Sequence, residues 1–70
     1  MKLLVVIEKT KTGFSAYSPD LPGCVATGAT RKQVERAMKR AVEFHVAGMR
    51  AERIRVPAPK SDSIWIEVPA

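Results

Sequence analysis

The chain changes direction at one seven-residue stretch, Ser18-Pro19-Asp20-Leu21-Pro22-Gly23-Cys24. Proline fixes φ and has no N–H, so two prolines three residues apart fit neither a helix interior nor a central strand. Gly23 can adopt a positive φ, and Asp20 can close a turn by accepting a hydrogen bond from its own backbone two residues later. Apolar residues are interspersed with these turn formers. We therefore expect a rigid, ordered turn from Pro19 to Cys24.

Two strand patterns precede this turn. Lys2–Lys9 is rich in β-branched residues and has apolar side chains on both faces, which predicts a central strand. Thr10–Gly13 has the length and composition of a hairpin loop. Phe14–Ser18 alternates between apolar and polar positions, which predicts a second strand antiparallel to the first.

A short strand and a helix follow the turn. Cys24–Thr27 is predicted to be a third strand at an edge of the sheet. Thr30 is a favourable N-cap, and Gln33, three residues later, completes a capping-box pattern. Apolar residues then recur at i, i+3, i+4 spacing, which predicts one amphipathic helix over Arg31–Met49.

The C-terminal part of the chain predicts one more strand. Ala51–Ser63 is polar and contains two prolines, so it should be an extended connection. Ile64–Val68 alternates, and a connection that carries a helix normally brings the next strand in parallel to a neighbour, here the first strand. The prediction is one α+β domain over residues 1–70, of order β-β-β-α-β, with a mostly antiparallel sheet covered on one face by the helix.

A single helix covers only one face of such a sheet. The other face should carry exposed apolar side chains, and an apolar patch of this kind usually marks a subunit or partner contact. Seventy residues with a single cysteine have no internal disulfide and make a marginal domain, which favours a homo-dimer or a larger homo-oligomer. The predicted interface residues are Leu4, Val6, Tyr17 and Trp65, with Leu3, Val5 and Ile7 as the alternative to Leu4 and Val6.

The net charge of +5 suits an acidic partner, either a nucleic acid or a protein. The exposed helix face could contact phosphates through Arg36, Lys39 and Arg40, although nucleic-acid-binding modules usually add aromatic residues or a second recognition helix. A plain solvated face is the alternative interpretation. The longest apolar run, Leu3–Ile7, is too short to span a bilayer, and no signal-peptide pattern precedes it, so we expect a cytoplasmic protein without membrane contact.

Catalysis requires a nucleophile, an acid–base pair or a set of metal ligands. The only histidine, His45, falls on the apolar stripe of the helix and is expected to pack there. Cys24 is expected to be a small buried apolar side chain. The acidic residues show no metal-ligand spacing, and the glycines form no phosphate-binding loop. The sequence therefore predicts a protein that is not an enzyme and that has no cofactor and no metal site.

The run Tyr17–Cys24, followed by Gly28, Thr30 and a long alanine-containing helix, resembles the HicB-type antitoxins of HicA–HicB toxin–antitoxin pairs. The resemblance covers nearly the whole chain. It implies a fold similar to a partial ribonuclease H fold, without ribonuclease activity. It also implies a function in binding and masking a small HicA toxin, which is an mRNA-cleaving ribonuclease.

Many members of that family carry a C-terminal DNA-binding segment. This chain ends two residues after its last predicted strand, so we expect a short form without that segment. Two alternatives stay open: a nucleic-acid-binding domain that uses the basic helix face, and a solitary oligomeric relative that has no toxin.

Overall fold

The computed structural model describes residues 1–70 and contains three strands followed by one helix. The elements are β1 (Val6–Lys9), β2 (Phe14–Tyr17), β3 (Val25–Gly28) and α1 (Arg31–Ala51). The strands form one antiparallel sheet in the order β1-β2-β3. The predicted α+β class, with an antiparallel sheet and one helix, is confirmed.

A tight hairpin joins β1 to β2. The Thr10 N–H donates to the Gly13 carbonyl at 2.8 Å, and the Gly13 N–H donates to the Thr10 hydroxyl at 3.1 Å. The register places Val6 opposite Tyr17 and Lys9 opposite Phe14. Because side chains alternate across a strand, this register fixes which residues face the helix and which face the open side of the sheet.

The core lies between the sheet and α1, and it is small. Its five fully buried apolar residues come from β2, from the turn that follows β2 and from the first half of the helix; they are Ala16, Leu21, Cys24, Val34 and Met38. Leu3, Val5 and Ile7 pack against this cluster from the N-terminal segment and are only partly buried. A domain of this size buries a modest share of its surface, so each core residue carries a large part of its stability.

The start of α1 is fixed by two hydrogen bonds that involve Thr30 and Gln33. The Thr30 hydroxyl accepts from the Gln33 N–H at 3.1 Å, and the Gln33 side-chain oxygen accepts from the Ala29 N–H at 3.1 Å. The first bond satisfies an N–H that a helix start leaves without an intrahelical partner, and the second ties the residue before the N-cap to the first turn of the helix. The helix therefore begins at Arg31, and it continues two residues past the predicted end, to Ala51.

The end of α1 is a Schellman motif with an arginine at the position that usually holds glycine. The Ile54 N–H donates to the Met49 carbonyl at 2.8 Å, and the Arg53 N–H donates to the Arg50 carbonyl at 3.1 Å. Arg53 adopts a φ of 58°, in the left-handed region that L-residues with a Cβ enter at a cost. The termination of the helix therefore stores a small amount of backbone strain.

Replacing Arg53 by glycine should relieve that strain. We expect Arg53→Gly to stabilise the fold by about 0.5–1 kcal/mol, because glycine adopts the left-handed conformation without a Cβ penalty but loses more entropy on folding. Arg53→Ala removes the same charge and keeps the Cβ, so it should give no such gain. Urea denaturation of the three proteins measures the difference, and equal stability of the two variants would contradict this account.

The fifth predicted element does not join the sheet. Ile64–Val68 makes no backbone hydrogen bond with β1, and Trp65 is fully exposed at 102%. The predicted parallel pairing is therefore corrected: β1 is an edge strand, and it begins at Val6 instead of Lys2. The physical reason is that alternation encodes an extended strand with one apolar face but does not encode which sheet edge will pair with it.

Candidate protein-binding surface

The stretch between β2 and β3 folds as two consecutive turns. The Leu21 N–H donates to the Ser18 carbonyl at 3.1 Å, and the Cys24 N–H donates to the Leu21 carbonyl at 3.1 Å. In the second turn Pro22 precedes Gly23, which has a φ of 82°, and this combination is typical of a type II turn. We call residues 18–24 the corner. Its turn residues lie as the sequence interpretation places them, between two strands.

Ser18 ties the corner to the first strand. Its buried hydroxyl donates to the Leu4 carbonyl at 2.8 Å, across fourteen positions of the chain. The bond occupies a backbone acceptor just before β1 begins. The corner therefore holds the N-terminal segment in addition to turning the chain.

Asp20 joins the corner to the C-terminal connection. Its carboxylate accepts from the Lys60 N–H at 3.2 Å, from the Ser61 N–H at 3.1 Å and from the Ser61 hydroxyl at 2.9 Å. The expectation that Asp20 closes its own turn is corrected, because its acceptor capacity is used forty residues away. Turn patterns predict contacts between neighbours in the chain only, and no short-range pattern links Asp20 to Ser61.

These bonds lower the pKa of the Asp20 carboxyl below its ordinary value of 3.8. The largest cause is the hydrogen bond from the Ser61 hydroxyl, followed by an opposing effect of burial and by the two backbone N–H bonds. The folded state therefore stabilises the ionised form of the Asp20 carboxyl relative to the unfolded state. This contribution to the free energy of unfolding is complete above the pKa of the unfolded state, near 3.8. It is lost as the pH falls through the lower pKa of the folded state.

Acid titration should expose this contribution. We expect the melting temperature of the wild type to fall more steeply than that of Asp20→Asn as the pH is lowered from about 5 to about 2, because the amide does not titrate there. At neutral pH the variant should already be less stable, since an amide has one oxygen for three donors. Asp62→Asn, at an exposed position, is the matched control and should keep the wild-type slope. Parallel slopes for the wild type and Asp20→Asn would contradict the assignment.

Cys24 and His45 show no catalytic arrangement. Cys24 is 3% exposed and belongs to the core, and burial raises the pKa of its thiol, so the unreactive protonated form is favoured. His45 is half-buried on α1. No group of three or more histidine, cysteine or acidic side chains is arranged to hold a metal ion.

The open face of the sheet carries a row of apolar side chains. Val6, Tyr17 and Val25 are aligned by the strand register, one on each strand. Tyr17 is 41% exposed and Val25 is 64% exposed, while Val6 is half-buried. We call these three residues the sheet row. An exposed row of this kind is a candidate contact for another protein.

The structure brings together only part of the predicted interface. Leu4, Val6 and Tyr17 lie on or beside the open face, whereas Trp65 lies outside the sheet in the C-terminal segment. Sequence reasoning missed Val25. The position of Val25 follows from the alternation of side chains along β3. Ala26 packs on the helix side, so Val25 and Thr27 point to the open face of the sheet.

An apolar groove runs along the free edge of the sheet, between the N-terminal segment and α1. We call it the edge groove. Its volume is about 710 Å³, and its apolar lining includes Leu3, Val5, Ile7, Met38, Val42 and Val46. Charged residues of the helix surround this lining: Arg31, Lys39 and Arg50 with Glu35 and Glu43. The groove is therefore apolar at its floor and slightly basic at its rim.

The predicted phosphate contacts are exposed on the helix. Arg36, Lys39 and Arg40 all lie at the surface, and Lys39 also contributes to the edge groove. Their exposure agrees equally with a solvated face and with nucleic-acid binding, so the latter stays a prediction. No helix of this chain is long and apolar enough to cross a membrane.

Comparison with known proteins identifies the family. The family described as HicB-like antitoxin of bacterial toxin–antitoxin systems matches residues 3–69. This chain belongs to the HicB-like antitoxin family. The similarity that the corner and the helix start suggested is thus confirmed over almost the entire chain.

Two curated relatives of this HicB-like chain are small proteins of similar length. A UPF0150 protein of Helicobacter pylori is 31% identical over 64 residues, which cover 91% of this chain and 89% of the relative. A UPF0150 protein of Thermoplasma acidophilum is 27% identical over 67 residues, which cover 94% of this chain and 97% of the relative. The HicB-like chain therefore matches both relatives along nearly their full length.

A solved structure also matches, a chain of the HicA3 and HicB3 toxin–antitoxin complex. The two folds superpose with a TM-score of 0.68 at 29% identity, over 84% of the HicB-like chain and 72% of the other chain. This similarity supports the α+β fold described above. The likeness to a partial ribonuclease H fold stays a prediction.

Proposed function

We propose that this HicB-like chain is the non-enzymatic antitoxin of a toxin–antitoxin pair and that it acts by binding a HicA-type toxin and covering its active surface. The observation that carries the proposal is the structural match, at a TM-score of 0.68, to a chain of a HicA3–HicB3 complex. Family membership over residues 3–69 supports the antitoxin half of the pair. The action is steric, so it needs no catalytic group on this chain.

The sheet row is the better of the two candidate faces for such a toxin. An mRNA-cleaving toxin must attract phosphates and therefore presents basic surface near its active site. The helix face, with Arg36, Lys39 and Arg40 exposed, would repel that surface. The open sheet face carries the sheet row and one charged side chain, Glu8, which is acidic and faces the same side as Val6. Apolar and acidic character together fit a basic protein partner.

Tyr17 is the residue on which to test this contact. Tyrosines at the centre of an interface often contribute strongly to binding, and Tyr17 lies in the middle strand of the sheet row. We expect Tyr17→Glu to weaken binding of a HicA-type toxin from the same genome by roughly 30-fold or more, and to release its RNA cleavage. Arg40→Glu makes an acidic substitution on the exposed helix face, and toxin binding should stay within about threefold of the wild type.

Isothermal titration and an RNA-cleavage assay measure both effects, and a thermal melt verifies that each variant is folded. The opposite ranking of the two variants would move the contact to the helix face. No binding by the wild type would refute toxin masking. In that case, RNA retention that weakens steeply with salt and is lost in Arg40→Glu would support the nucleic-acid alternative.

A further inference from the structure

We propose that the C-terminal segment, residues 62–70, adds as a β-strand to the free edge of β1 in a second copy of this chain, and that two copies exchange their segments reciprocally. Such an arrangement is a symmetric dimer in which the same two surfaces, segment and edge groove, meet twice. The proposal is independent of toxin binding.

The segment has the character of a strand that lacks its partner. Ile64, Ile66 and Val68 are 78%, 73% and 76% exposed, and their alternate positions would place them on one side of an extended strand. Trp65, on the other side, is fully exposed. Large apolar side chains concentrated in five residues are unfavourable in water and are normally covered in the functional state.

The free edge of β1, to which this strand would add, also lacks a partner. β1 pairs only with β2, so its outer backbone N–H and C=O groups form a free sheet edge. The edge groove lies directly beside it, lined by Leu3, Val5 and Ile7 and by apolar residues of α1. A strand added to this edge would insert alternate side chains into the groove, and the backbone of the edge would be paired at the same time.

Pattern and charge fit the segment to the groove. With Ile64, Ile66 and Val68 directed into the groove, Trp65 and Glu67 project onto the open face of the sheet, beside the sheet row. The segment has no basic residue, and its Asp62 falls on the same side of the run as Ile64, whereas the rim of the groove has three basic and two acidic residues. The contact is therefore attractive as well as apolar.

The anchor of the segment favours a second copy as the partner. The bonds of Asp20 to Lys60 and Ser61 fix the segment at the corner, one residue before it begins. From that point it leaves its own domain, with its own β1 edge unpaired, and the molecule reaches 49 Å in its longest dimension. Every copy thus presents one projecting strand and one vacant edge, which is the arrangement that reciprocal exchange requires.

The test uses the purified 70-residue chain without any toxin. Light scattering after gel filtration should give twice the chain mass of 7.7 kDa, and the emission of the single tryptophan should shift to the blue in the dimer. Dilution should return the mass to that of a monomer and shift the emission to the red over the same concentration range. The two signals change together only if Trp65 lies in the dimer contact.

Two variants separate the segment from other interfaces. Ile66→Asp should weaken dimerisation by at least about 100-fold, since a carboxylate would be buried in the apolar groove. Glu67→Gln, on the neighbouring outward position, should dimerise within about threefold of the wild type. Both positions are exposed in the single chain, so circular dichroism should show unchanged folding.

Three results would overturn the proposal. The first is a wild-type monomer at all concentrations with a red emission, which leaves the segment uncovered. The second is a monomer with a blue emission, which means that the segment folds back onto its own edge. The third is a dimer that Ile66→Asp does not weaken, which means that another face dimerises.

Discussion

Gly28→Ala should destabilise the fold by about 2–3 kcal/mol, typical of steric overpacking in a tight site. A Cβ at this position would lie 2.5 Å from the Val34 backbone nitrogen and 2.9 Å from its Cα. Both atoms belong to the helix backbone, which cannot move aside as a flexible side chain can. The end of β3 and the start of α1 approach each other this closely only because residue 28 has no side chain. Urea denaturation measures the loss.

Gly48→Ala is the matched control because it makes the same chemical change in the same small domain. Gly48 lies inside α1, and a Cβ there meets no atom within 4 Å. This variant should be more stable than the wild type by roughly 0.5–1 kcal/mol, since alanine is the better helix former. The prediction is therefore a difference of sign between two Gly→Ala substitutions. A neutral Gly28→Ala would show that β3 and α1 can separate without cost.

Leu21→Ala should have the larger effect, a loss of about 3–4 kcal/mol, as is usual for truncating a fully buried leucine. Leu21 is 1% exposed and comes from the corner, so its side chain is the means by which the turn contributes to the core. A domain of this length has a total stability of roughly 4–10 kcal/mol. We therefore expect a variant whose melting transition lies far below that of the wild type, or that is partly unfolded at 37 °C.

Val25→Ala is the control for Leu21→Ala, because it also shortens an apolar side chain, but at an exposed position. Val25 lies four residues further on, is 64% exposed and faces the open side of the sheet. Its truncation should cost less than about 0.5 kcal/mol, which is usual for surface substitutions. Both variants should be melted at low protein concentration, so that the comparison reports the stability of the single chain. Similar losses in the two variants would mean that Leu21 is not a core residue of the folded chain.

The helix and the first hairpin were predictable because their determinants are local. Thr30 and Gln33 lie three residues apart, and the Thr30 hydroxyl accepts from the Gln33 N–H as the pattern predicts, while the Gln33 side chain bonds the N–H of Ala29, one residue before the cap. The end of the helix was less predictable. Arg53 occupies a conformation that usually favours glycine, and backbone hydrogen bonds from Arg53 to Arg50 and from Ile54 to Met49 close the helix end there.

The candidate site residues also differ in whether their positions depend on local sequence or on tertiary contacts. Cys24 and Leu21 both belong to the core. The burial of Cys24 was predictable, because it is an apolar residue within an ordered turn. The alignment of Val25 with Val6 and Tyr17 depends on strand register, which follows from pairing and not from any single strand pattern. Trp65 was expected on the open face, but the single chain leaves it outside the sheet.

The corner, the antiparallel hairpin, the capped helix and the family could all be predicted from the amino-acid sequence, because each depends on residues close together in the chain. The hydrogen bonds of Asp20 with Lys60 and Ser61 become apparent only in the folded chain. The same is true of the edge position of β1 and of the final apolar segment, which has no partner strand within its own chain. The reason is physical: backbone propensity and turn chemistry are local, whereas the choice of partner for a strand or a carboxylate depends on distances that exist only after the chain has folded.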